Sequence, residues 1–150
     1  HFVDFMQFLT DAKPVSAWSQ TVGGRAREDV INEDNTTVYI AFDDGSLGTL
    51  VYVSNGDKSY SKERVEVFCD NAVGVLENFN SLRLVRDGRT NKVRGSILRQ
   101  DKGHENEIRQ FVEAVAAGKM FPVDFEDYVL TTRVTFAALD SQKSGESVSL

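Results

Sequence analysis

The sequence predicts an α+β domain: an open, mostly antiparallel β-sheet with helices packed on one face, in two layers. Three observations carry that prediction. Asp44-Gly45 and Asp87-Gly88 each separate runs in which apolar and polar residues alternate, the pattern of tight hairpins. The connections between successive strand candidates are too short for the crossovers that parallel pairing needs. Toward the C-terminus the apolar spacing changes from period two to period 3.6, which marks helices.

The elements follow in order. Phe2, Phe5, Met6 and Leu9 recur at helical spacing, with Val3 and Phe8 widening the apolar face, and Lys13-Pro14 ends the run. No Ser, Thr, Asp or Asn precedes this helix, so its first N–H groups lack a cap. The expectation is a chain that continues upstream, with residues 1–150 as its last domain. Val15–Val22 alternates as a strand, and a polar, charged loop containing Arg25, Arg27, Glu28 and Asp29 follows. The clearest hairpin joins Thr36–Phe42 to Leu47–Val53. Both of its faces are partly apolar, which predicts one face on the helices and the other on a second subunit or domain.

Further strands are expected at Arg64–Cys69, Ala72–Phe79, Ser81–Arg86 and Thr90–Ile97, in meander order. Ile108, Phe111, Val112 and Val115 then fit i, i+3, i+4, i+7, and Gly118 stops that helix. A second helix begins at the N-cap Asp124, is expected to bury Phe125, Val129, Thr132, Phe136 and Leu139, and ends at Gly145. Ser147–Leu150 adds a last edge strand.

Composition narrows the function. A chain of 150 residues suits one domain that buries about 68–70% of its surface. The net charge of −6 argues against nucleic acid and anionic membranes as partners. No apolar run approaches the roughly 20 residues of a membrane span, and the opening residues lack the basic start and small-residue cleavage site of a signal peptide. One cysteine, Cys69, forbids an internal disulfide and a multi-cysteine zinc site. A reducing cytoplasm is the simplest compartment.

No Gly-x-Gly-x-x-Gly follows a strand, and His-x-x-x-His and Cys-x-x-Cys spacings are absent, so neither a nucleotide site nor a metal site is readable. Two histidines remain. His1 stands at the N-terminal end of the first helix, where the positive end of the dipole favours a neutral imidazole able to act as acid or base. Taken by itself it reads as an incidental residue. His104, four residues before Ile108, reads first as a hydrogen-bonded packing histidine on the buried face. Asp101 and Lys102 are a cap and a surface charge. Asp4 is solvent-facing by default.

Five runs in sequence order resemble the C-terminal domain of the glucose–fructose oxidoreductase / inositol dehydrogenase family. They are His1-Phe-Val-Asp-Phe-Met-Gln-Phe-Leu9, the stretch from Asp34 to Leu50, Lys62-Glu-Arg-Val-Glu-Val-Phe68, Asp101-Lys-Gly-His-Glu105 and Thr131-Thr-Arg-Val-Thr-Phe-Ala-Ala-Leu139. The likeness is greatest to two-part bacterial proteins in which a zinc-type alcohol dehydrogenase half precedes an oxidoreductase half of this family. The resemblance implies an upstream Rossmann domain holding NAD or NADP, with no cofactor bound by residues 1–150. It implies an open sheet with a substrate side and an oligomer side, and a sugar, nucleotide sugar or polyol as substrate. It implies a catalytic role for His1, which matches a histidine that opens the entering helix beside the nicotinamide, and makes Asp4 and His104 the candidate substrate contacts. The family's acidic partner and cofactor-side lysine would lie outside these residues. Asp11 stands where the family commonly has glycine. The implied assembly is a homodimer or even oligomer through the sheet face. The competing reading is a non-catalytic binding or assembly module of the same fold. The two part on whether a Gly-rich dinucleotide motif precedes this domain.

Overall fold

Asp43-Asp44-Gly45 turns the chain as its residue types require. Gly45 takes φ 87°, and its N–H donates to the Phe42 carbonyl at 3.1 Å. The computed structural model describes residues 1–23, 34–95, 103–121 and 123–150. The expected loop from Gly23 to Asn32 beyond its first residue, the end of the fourth expected meander strand, and Asp101 and Lys102 lie outside the described residues.

The elements are α1 (Phe2–Thr10), β1 (Pro14–Thr21), β2 (Thr36–Phe42), β3 (Leu47–Tyr52), β4 (Arg64–Cys69), β5 (Ala72–Glu77), β6 (Ser81–Arg86), β7 (Arg89–Arg94), α2 (His104–Ala116), α3 (Phe125–Ser144) and β8 (Val148–Ser149). All described strand pairing is antiparallel and the class is α+β, but the strands form two four-stranded sheets. The chain divides accordingly into His1–Gly56 with Pro122–Leu150, and Asp57–Phe121.

The first unit holds the sheet β3-β2-β1-β8 with α1 and α3. Its core is Val3 from α1, Ala17 from β1, Val38, Ile40 and Phe42 from β2, and Val134, Ala137 and Ala138 from α3. The face that α3 turns to the sheet is not the expected one. Val134, Ala137, Ala138 and Ser141, at i, i+3, i+4 and i+7, are buried, whereas Phe125, Thr132, Phe136 and Leu139 are exposed. The helix carries two stripes. The stripe of small residues lets the backbone come close to Ala17 and Ser19, and a close-packed interface selects it over the bulkier one.

Register sets the sides of the hairpin. Val38 pairs with Leu50 and Tyr39 with Thr49, so Leu50 shares the core face and packs against the cluster, while Tyr39 and Val51 share the opposite face. On that outer face Tyr39 stacks beside Trp18 at 5.4 Å between ring centroids. Gly48 lies under the Met6 side chain, whose flexible end would have to shift to admit a Cβ, since that Cβ would meet the Met6 Sδ at 2.6 Å.

The second unit holds the meander β4-β5-β6-β7 and α2. Its turns run through left-handed residues: Asp70 and Asn71 (φ 46° and 58°), Asn78 and Phe79 (50° and 52°), and Asp87 and Gly88 (51° and 69°). The positive φ at Asn78 and Phe79 ends β5 at Glu77, two residues before the expected limit. Among the described residues of this sheet only Val75 is buried. The α2 helix forms where its period predicts, yet it buries no residue. Ile108, Phe111, Val112 and Val115 are all more than half exposed.

Candidate functional site

The site that the sequence singles out is built on the first turn of α1. His1 is the N-cap of the helix, and its carbonyl accepts the Phe5 N–H at 2.9 Å, while its side chain makes no capping hydrogen bond. Asp4 follows in the first turn, where a carboxylate is favoured by the helix dipole. Both side chains are exposed. His1 and Asp4 therefore share one helix end, with an imidazole free to donate or accept at either nitrogen.

The rest of α1 is held firmly. Val3 is buried in the core, and the Thr131 hydroxyl of α3 bonds the Gln7 Oε1 at 3.2 Å. Asp11 closes the helix at φ 53°, the left-handed conformation for which glycine is the ordinary choice and which Asp tolerates. Its N–H donates to the Gln7 carbonyl at 2.9 Å. The chain then enters β1 through a reciprocal pair, with Lys13 N–H on the Asp43 Oδ1 at 3.1 Å and Asp43 N–H on the Lys13 carbonyl at 2.9 Å.

His104 lies in the second unit, as the first residue of α2 after the N-cap Gly103. It is exposed, and since α2 buries no residue, the expected packing role on a buried face does not hold. Thus His1 and Asp4 come together on one element, and His104 belongs to another unit.

Among the described residues no group of three or more His, Cys, Asp or Glu gathers that could hold a metal. No helix among them is long and apolar enough to cross a membrane. Cys69 is exposed and free. Of the three helix starts, that of α3 is occupied by its own cap, the Asp124 carboxylate accepting the Glu126 N–H at 3.2 Å. Among the described residues neither α2 nor α3 is entered from a strand through a Gly-rich turn of the kind that holds the pyrophosphate of a dinucleotide.

Sequence patterning assigned no role to Arg83, Lys92 and Arg94, which the β6–β7 pairing places on one face. The signal was present as basic residues two apart on the second arm, opposite a basic residue on the first, across an Asp-Gly turn.

No family model matches the chain, and no curated protein does. Solved structures do. The UDP-N-acetylglucosamine 3-dehydrogenase of Acidithiobacillus ferrooxidans superposes with a TM-score of 0.78 at 17% identity, over 96% of this chain and 45% of its own. An oxidoreductase from Agrobacterium radiobacter, solved with NAD+, L-tartaric acid and magnesium, gives 0.80 at 14% identity, over 99% and 46%. The aldose-aldose oxidoreductase of Caulobacter crescentus, solved with glycerol, gives 0.78 at 16%, over 99% and 44%. Likeness at this identity establishes a shared fold. The chain spans less than half the length of each of these proteins.

Proposed function

We propose that this chain is the substrate-binding and assembly domain of an NAD(P)-dependent oxidoreductase acting on a sugar, nucleotide sugar or polyol. The observation that carries the reading is His1 at the start of α1, its side chain exposed and making no capping hydrogen bond, one helical turn before Asp4. The neighbours in fold are oxidoreductases, two of them named for sugar substrates, which supports the same class.

In this reading the nicotinamide is held outside these residues and supplies the hydride chemistry. His1 takes or returns the proton of the substrate hydroxyl, and Asp4 accepts a neighbouring hydroxyl of the substrate. His104 is a second substrate contact. The likeness to two-part proteins with a zinc-type alcohol dehydrogenase half rests on the sequence runs alone. The outer face of the first sheet, where Tyr39, Leu47 and Val51 are 48%, 82% and 64% exposed, supports pairing with a second copy. That same face is what favours the competing reading, a non-catalytic assembly module.

The test is His1→Ala in the full-length protein, with turnover on a panel of sugars, nucleotide sugars and polyols. Loss of an acid/base group lowers kcat by about 10²–10⁴ and leaves NAD(P)H affinity nearly unchanged. Unchanged turnover would return His1 to a merely structural position and leave the assembly reading in its place.

A further inference from the structure

The second sheet carries an unneutralised group of cations that the proposed chemistry does not use. Arg83 on β6 pairs directly with Lys92 on β7, and Ser81 pairs with Arg94. Residues two apart on a strand share a face, so all four lie on one side. Directly opposed residues have Cβ atoms about 4.5–5.5 Å apart, and like charges at that spacing destabilise a sheet. Among the described residues no carboxylate forms an ion pair with them. The acids on this face are Glu66 and Glu77, and both are bound to Arg64 on the far strand, Glu77 at 3.2 Å. Among the described residues Arg83, Lys92 and Arg94 make no ion pair.

The cations border a depression of about 240 Å³ that is also lined by Ser81, Leu82, the buried Val75 and Glu77, whose carboxylate is held by Arg64. On the opposite face of the same hairpin Arg86 is likewise paired with Arg89, but there the Asp87 carboxylate lies 4.0 Å from Arg86. A chain of net charge −6 that opposes two like charges across a hairpin gains nothing in stability from doing so. A bound anion removes the conflict.

We propose that Arg83, Lys92 and Arg94, with the Ser81 hydroxyl, form a binding site for the phosphoryl group of a small phosphate-bearing molecule. An Arg guanidinium presents two parallel N–H groups to two phosphate oxygens, and Lys adds a point charge. A phosphate monoester carries about −1.5 to −2 charges, and a diphosphate more, which three cations balance better than they balance one carboxylate. The depression lies below the roughly 300–1,000 Å³ of pockets that enclose a drug-sized ligand. It therefore takes one or two phosphoryl groups and leaves the remainder of the molecule outside. The acidic chain repels a long polyanion, which sets nucleic acid against this site.

Another role is available to these cations: β7 is an edge strand, and charges on an edge deter pairing with other chains. Calorimetric titration of the protein at low ionic strength separates the two. The probes are inorganic phosphate, pyrophosphate and a nucleoside diphosphate, with a single-stranded oligonucleotide as comparison. Saturable binding of at least one small phosphate, weakened by added salt, is expected. Arg83→Gln and Lys92→Gln each weaken it roughly ten- to hundredfold, the worth of one hydrogen bond to a charged group. Arg86→Gln leaves it unchanged. A nucleoside diphosphate binding more tightly than pyrophosphate assigns the phosphate to a nucleotide; equal affinities assign it to the free phosphoryl group. No saturable binding of any small phosphate, binding of the oligonucleotide alone, or equal weakening by Arg86→Gln overturns the site. Both variants remove a repulsion, so neither should melt below the wild type, and a loss of binding cannot be laid to unfolding.

Discussion

The Ser141 hydroxyl on α3 accepts the backbone N–H of Ser19 on β1 at 2.9 Å, across 122 positions of sequence, and both residues are buried. The short β8 reaches β1 only at Ser16 and Ala17, so the Ser19 N–H is an edge donor that no strand covers. Ser141 covers it and donates in turn to the Glu146 carbonyl at 2.6 Å. Beside it the Gln142 amide donates to the Ser19 and Thr36 hydroxyls, each at 2.9 Å. The Thr36 hydroxyl donates to the Gln20 carbonyl at 3.1 Å, so the proton between Ser19 and Thr36 belongs to Ser19. One helix end thus closes one sheet edge with every partner satisfied.

Ser141→Ala removes an acceptor from a buried N–H and a donor from the Glu146 carbonyl. Unfolding by urea should show a loss of about 1–3 kcal/mol, the cost of leaving such a group unpaired. A loss under about 0.5 kcal/mol, the range of ordinary surface changes, would mean that water takes the place of the hydroxyl.

Strong acid, below the ordinary carboxylate range, should weaken two turns. The Ser46 backbone N–H and then its hydroxyl hold the Asp44 carboxyl below its ordinary value, and Ser59 does the same for Asp57. A carboxyl whose folded-state value is depressed contributes stability that is present above its unfolded value and lost as pH falls through the folded one. Carbon-detected titration of the two carboxyls should therefore give midpoints below 3.8. A midpoint for Asp44 at or above that value would show that the Ser46 bonds do not persist in solution.

Assembly through the outer face of the first sheet predicts a dimer or even oligomer by light scattering after size exclusion. Placing a charge in that face, as Val51→Lys or Tyr39→Lys, should yield monomers with unchanged secondary structure, because an unpaired charge would be buried between the sheets. A monomeric wild type at tens of micromolar, or variants that still assemble, would remove this face from the interface.

What the sequence determined by itself was local. Asp44-Gly45 and Asp87-Gly88 set two turns, because positive φ at those positions is a property of the residues that occupy them. Strand and helix periods placed β2, β4, β6 and both later helices, and Asp124 and Gly145 marked the ends of α3. Spacing also put His1 at the start of α1, but its role there with Asp4 came only from the family resemblance. Tertiary structure decided what depends on partners far away in the chain. The period of α3 admits two stripes, and only the fit of Ala137, Ala138 and Ser141 against Ala17 and Ser19 chose between them. The same dependence turned Leu50 to the core and Tyr39 away from it, since facing is set by register and register by pairing. It left the apolar stripe of α2 exposed, where a regular period had promised burial. It also set Arg83 opposite Lys92, a juxtaposition invisible until the arms of the hairpin are laid side by side. Periodicity reports that a side chain can be buried; only the surface that meets it decides whether it is.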